Sequence, residues 1–231
     1  MSRFQVEDVS DEQLAAEARL YEPFTDAVRE LVDATIRTEV EPEEIRAAQA
    51  EIEAITARLR RRQMPGAFGV RIRPDGRRGR NWGNAVMGLR NPIAPPLEVK
   101  SDGEGRAWSD FHLGAAYEGP PGLVHGGVVA LVLDQVLGHA VSTSGLPGMT
   151  GTLSIRYRQG SPLGELRCEA WVERRSGIKT WGKGHILNPD GEVTAEAEGI
   201  FILPKWARER LAAMQEAQGE GADEPVPDFF E

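Results

Sequence analysis

The run from Gly126 to Val141 is a helical segment that is apolar nearly all round and carries one acid, Asp134. Val128, Val129, Leu131, Val132, Leu133, Val136, Leu137 and Val141 leave no polar stripe, so the helix is expected inside a core. An unpaired, ionised carboxylate there costs several kcal/mol. It is therefore expected to have a structural partner, or to serve as a general base or nucleophile with a pKa tuned by burial. His125, Gly126 and Gly127 open the same helix. A helix start exposes unpaired N–H groups and the positive end of its dipole. Glycine lets a ligand approach that backbone closely, and an oxyanion of acyl transfer would fit there. The competing reading is tight helix-sheet packing at the glycines and an internal ion pair at Asp134. Thr150 starts a later strand and is a candidate for holding a water.

Asp134 lies nine positions after His125. At about 100° and 1.5 Å per residue, it falls on the opposite face, roughly 13 Å along. The two do not meet within one chain. They can meet across a two-fold axis, where one copy offers its helix start and the other its helix middle, so a homodimer with composite sites is expected.

The elements that position these groups follow from pattern. Residues 1–65 read as a helical extension. Ser10 with Gln13 forms a capping box, and Pro23 is expected to interrupt the first apolar pattern. A second helix starts at Pro42, with Ile45, Ala48, Ile52, Ile55 and Leu59 on one face. A hairpin packed on the main domain or on a dimer partner is expected, with a partner-binding module as the alternative. Residues 66–95 form a Gly/Arg/Pro-rich connector carrying Arg71, Arg73, Arg77, Arg78 and Arg80. It reads as a solvated loop or a phosphate-contacting arm. Residues 96–203 read as an α+β domain. Strands at 97–100 and 106–113 precede the central helix. Strands at 150–157, 165–174, 179–187 and 193–203 follow it, separated by Ser-Pro, Ser-Gly and Asn-Pro-Asp-Gly turns. Alternation along them gives an antiparallel sheet covering the helix. Residues 204–231 read as a short helix with Trp206, Leu211 and Met214 on one face, then an acidic, disordered tail.

Composition narrows the function classes. The chain has 231 residues and a formal net charge of -9, which disfavours nucleic acid as a main partner. The single Cys168 excludes an internal disulfide and thiolate-rich zinc sites. His112, His139 and His185 lack ligand spacing, so no metal and no cofactor is expected. No phosphate loop, HExxH or GxSxG occurs. The start lacks an apolar signal region, which gives a cytoplasmic expectation. His125, Asp134, Gln135 and His139 argue against a membrane span.

Two segments, YEGPPGLVHGGVVALVLDQ and GLPGMTGTLSIRYRQGSPLG, carry a resemblance over 91–203. They resemble the hot-dog-fold acyl-CoA thioesterases of the phenylacetate-pathway type, nearest the branch of the thioesterase superfamily member 4 proteins. The resemblance implies a hot-dog fold, an antiparallel sheet wrapped around a central apolar helix. It implies hydrolysis of an acyl-CoA by a homodimer or dimer of dimers with composite active sites. Asp134 would be the base or nucleophile, and the Gly126 N–H would polarise the thioester carbonyl. His125 would shape that turn and Thr150 would hold the attacking water. Gly119, Gly122, Gly127 and Glu118 would line the substrate. One departure stands out: many relatives carry Asn where this chain has Gly119, which implies a thinner oxyanion hole or a role for Glu118. A hot-dog hydratase fits less well, because its Asp and His sit in a differently spaced motif. The alternative function is a non-catalytic acyl-CoA-binding or regulatory protein acting through its helical extension.

Overall fold

The computed structural model describes residues 4–74, 80–95 and 97–209. A six-stranded antiparallel sheet carries the domain. Its strands are β3 (Lys100–Ser101), β4 (Arg106–Leu113), β5 (Met149–Tyr157), β6 (Gly164–Ser176), β7 (Lys179–Leu187) and β8 (Val193–Ile202). Their order across the sheet is β3-β4-β6-β7-β8-β5. The central helix α3 (Gly126–Thr143) packs on one face.

Alternation decides that face. Ala107, Phe111 and Leu113 of β4 turn inward, as do Leu166, Cys168 and Ala170 of β6. They meet Val129, Val132, Leu133, Val136, Leu137, Ala140 and Val141 of α3, all buried. Each such valine or leucine contributes about 1.5–3 kcal/mol on burial. Small residues on β7 and β8 let the helix come close. A Cβ at Gly182 would sit 3.1 Å from Leu137 Cδ2. Among the described residues, α3 is the one helix long and apolar enough to cross a membrane, yet eight of its residues are buried against this sheet.

The sheet covers only one side of α3. Gly127 and Leu131 are exposed, Leu131 to 37%, while Asp134, Gln135, Gly138 and Ser142 are half-buried, Asp134 beside the edge strand β5. The helix is therefore not apolar all round. Gln135, Gly138, His139 and Ser142 make a stripe of polar and small residues at helical spacing, hidden in the sequence by the surrounding valines and leucines. β5 is an edge strand, paired with β8 alone, and it is mostly exposed.

The extension departs from expectation in three ways. Helix α1 (Asp11–Arg37) has the capping box at Ser10 and Gln13, but it runs through Pro23 without a break. Helix α2 (Pro42–Arg60) does not pack along α1 as a hairpin, and it buries none of its residues. A short strand β1 (Phe4–Val6) pairs in parallel with β2 (Val70–Ile72), and three residues each are too few to show periodicity. The connector is not a solvated loop. Val86 and Ala94 are buried within it, and Arg80 is only 7% exposed. Of its described arginines, Arg71, Arg73 and Arg80 pair with acids of the extension, and Arg90 lies over the Tyr21 ring. Arg71 and Arg80 both bind Glu7, Arg80 binds Glu17 at 2.6 Å, and Arg73 binds Asp11 at 2.6 Å. Arg77, Arg78, Leu211, Met214 and the acidic tail lie outside the described residues.

Candidate active site

His125 is the N-cap of α3, with a non-helical backbone at φ -59° and ψ 132°. Its Nδ1 accepts the Gly127 N–H at 3.0 Å, which assigns the ring proton to Nε2. Its backbone is held from both sides. The His125 N–H donates to Tyr117 O at 2.9 Å, and its carbonyl accepts from Val128 and Val129. With Gly127 satisfied in this way, Gly126 is the first helical residue whose amide has no partner among the described residues. The Tyr157 hydroxyl donates to the Gly126 carbonyl at 2.8 Å, tying the helix start to the end of β5.

The turn before the helix accounts for the glycines there. The Glu118 carboxylate accepts the Gly122 N–H at 2.7 Å, and the Gly119 N–H donates to Leu123 O at 2.9 Å. Gly122 has φ +73°, a conformation that favours glycine. A Cβ at Gly119 would lie 2.7 Å from His125 Cα. An asparagine at 119 is thus shut out by backbone, and Glu118 is committed to closing the turn.

Asp134 sits at the other end of this geometry. It is half-buried on the uncovered stripe of α3 rather than enclosed in the core. The Thr150 hydroxyl donates to Asp134 Oδ1 at 2.8 Å. Together they border a cavity of about 250 Å³, with Val70, Asn81, Asn84 and Met87 from the connector. Gln135, Gly138, His139 and Ser142 of α3 and Gly148 complete its wall. Cys168 is fully buried in the core, and burial pushes its thiol well up, which keeps it from acting as a nucleophile.

The chain thus brings Asp134 and Thr150 together, and separately His125, Gly126, Gly127, Gly119, Gly122 and Glu118. The two groups lie eight residues apart on α3, roughly 12 Å. The connector residues were not legible as site residues, since a Gly- and Arg-rich loop carries no periodic signal. Gln135 and His139 were legible in principle, as the polar positions flanking Asp134 at helical spacing.

The family model of the thioesterase superfamily matches residues 121–195, which contain the helix start, Asp134 and Thr150. Acyl-coenzyme A thioesterase THEM4 of Xenopus laevis is 32% identical over 94 residues, 40% of this chain and 42% of that protein. THEM4 of Bos taurus is 30% identical over 105 residues, 45% and 43% of the two chains. The chain thus spans less than half the length of these relatives. A crystal structure of a thioesterase superfamily protein covers far more. It matches 86% of this chain and 93% of its own, at 30% identity and a TM-score of 0.69, extension included. That shared trace, from the N-terminal helices through the sheet-wrapped α3, makes this chain a member of the thioesterase superfamily with the hot-dog fold.

Proposed function

We propose that this protein hydrolyses an acyl-CoA thioester to the free acid and CoA, at sites completed by a second copy. The observation that carries the reading is a carboxylate held by a threonine hydroxyl at a cavity, on the same helix as an unpartnered amide. The Thr150 proton is committed to Asp134, so its oxygen is left to accept from a water. Asp134 takes a proton from that water as the water oxygen attacks the thioester carbonyl. The Gly126 N–H holds the resulting oxyanion. As the tetrahedral intermediate collapses, the C–S bond breaks and the leaving thiolate takes the proton back from Asp134. The names of the two THEM4 relatives support acyl-CoA as the substrate class.

The geometry of β5 supports a second copy. It runs back along α3 with Thr150 at the level of Asp134 and Tyr157 at the level of Gly126. Its outer edge is unpaired among the described residues. Antiparallel pairing with its own copy, centred near Leu153 and Ser154, sets Thr150 opposite the partner's Tyr157. That register brings Asp134 toward the Gly126 amide of the partner subunit, and it covers the exposed stripe around Leu131.

A panel of acyl-CoAs assayed for free thiol tests the reading. Asp134→Asn keeps the shape and the Thr150 contact, and is expected to lower kcat by about 10²–10⁴-fold. Turnover at the wild-type rate would remove Asp134 from the mechanism. The non-catalytic reading is favoured by the bare apolar face of α2, a surface suited to a partner. Binding of acyl-CoA by the wild type without thiol release would select it.

A further inference from the structure

The proposed chemistry names the Gly126 N–H as the donor to the thioester oxygen, and a second donor beside Asp134 would strengthen that hold, since the Thr150 proton is already given to the carboxylate. The connector supplies a route to one. Asn84 Oδ1 accepts the Val86 N–H at 2.7 Å and the Met87 N–H at 3.1 Å. Those two bonds fix which end of the side chain is nitrogen, and that nitrogen reaches toward α3. Asn84 Nδ2 donates to Gln135 Oε1 at 3.5 Å, a long contact that orients rather than clamps. With its oxygen drawn to Asn84, Gln135 turns its own Nε2 hydrogens the other way. Both side chains border the cavity that Asp134 and Thr150 share.

The turn holding Asn84 is firmly built. The Asn84 N–H donates to Asn81 O at 2.7 Å, and its carbonyl accepts from Gly88 and from the Asn91 side chain, both at 3.2 Å. Arg29 of α1 binds the carbonyls of Asn91 and Ala94 and so anchors the turn to the extension.

We propose that Asn84 and Gln135 form a carboxamide relay whose Gln135 amide donates to the thioester oxygen beside the water that Asp134 activates. This rests on the thioesterase reading above. It makes the connector, through Asn84, a working part of the site, outside the segment 121–195 that the family model matches. Asn84 is a positioning residue, and Gln135 provides the donor.

Asn84→Asp tests this with little change of shape. The new carboxylate still accepts from Val86 and Met87, so the turn stays. The donor to Gln135 is lost, and the Gln135 amide reverses to present its oxygen to the cavity. We expect kcat to fall about 10²-fold with KM and the thermal midpoint little changed. The added charge beside Asp134 should also move the acid limb of the kcat–pH profile upward. Gln135→Leu removes the donor without adding charge and should cost a similar factor in kcat. The double variant should be no worse than the worse single, since both act through one contact. Wild-type kcat in either single variant, with Asp134→Asn inactive, overturns the relay and leaves the thioesterase reading standing. A wild-type protein that releases no thiol from any acyl-CoA overturns both.

Discussion

Helices α2 and α3 are nearly the same length, 19 and 18 residues, and each carries large apolar side chains. α3 buries eight residues and α2 none. In α2 the exposed face shows Ile45, Ile52, Ile55 and Leu59. This helix is supported locally. Pro42 pre-sets its first turn, Glu43 and Glu44 sit at its start, and Arg58 and Arg60 sit at its end. Glu43–Arg46 and Gln49–Glu53 pairs add to it along the surface. α3 has no charged residue in its first or last turn, and tertiary packing holds it instead. Apolar periodicity therefore fixed the type of element in both cases. Its placement depended on a complementary surface, which the small residues of β7 and β8 provide for α3 alone.

Three substitutions probe that contrast. Leu133→Ala, in the fully buried seam of α3, should cost about 2–5 kcal/mol in denaturant unfolding. A cost near zero would mean the sheet does not close on the helix. Glu7→Gln should cost about 1–3 kcal/mol near neutral pH, because it breaks the clasp between β1 and the connector. Burial pushes the Glu7 carboxyl up, but hydrogen bonds from Arg80 and then Arg71 outweigh it and hold the group below its ordinary 4.5. A depressed folded value means the contribution is complete above pH 4.5 and fades as the pH falls through the folded value. The stability gap between wild type and Glu7→Gln should narrow below that pH, and a gap constant from neutral to strongly acidic pH contradicts the clasp. Ile52→Ala, on the bare face of α2, should change stability by less than about 0.5 kcal/mol. A cost above about 1 kcal/mol would show that the face is covered in solution.

The sequence made α3 and the long strands legible because burial writes period-2 and 3–4 patterns into them. Asp134 stands out as one acid among valines and leucines, whereas Thr150 reads from sequence only as a holder of water, and its direct hydrogen bond to Asp134 needs coordinates. Asp134 lies shallower than its apolar neighbours in the sequence suggest. Counting apolar residues hid the uncovered stripe of Gln135, Gly138, His139 and Ser142. The role of Gly119 needed coordinates, since only the approach of His125 Cα excludes a side chain there. The clasp of Glu7 and Glu17 with Arg71 and Arg80 joins residues more than sixty positions apart, and no local pattern encodes such a contact. Asn84 was hidden for the same reason, in a loop whose order comes from cross-bonds to Asn91 and α1.

The proposed composite site is tested most directly by mixing two inactive variants. Asp134→Asn removes the carboxylate. Gly126→Pro removes the amide at a helix position that tolerates proline, after a residue already in a non-helical conformation. Copies refolded together in equal amounts form mixed dimers, each with one intact site if the carboxylate and the amide come from different subunits. Thiol release should then recover to about a quarter of the wild-type level. Recovery to that level is the predicted result, and a mixture as inactive as its two parents would contradict the shared site.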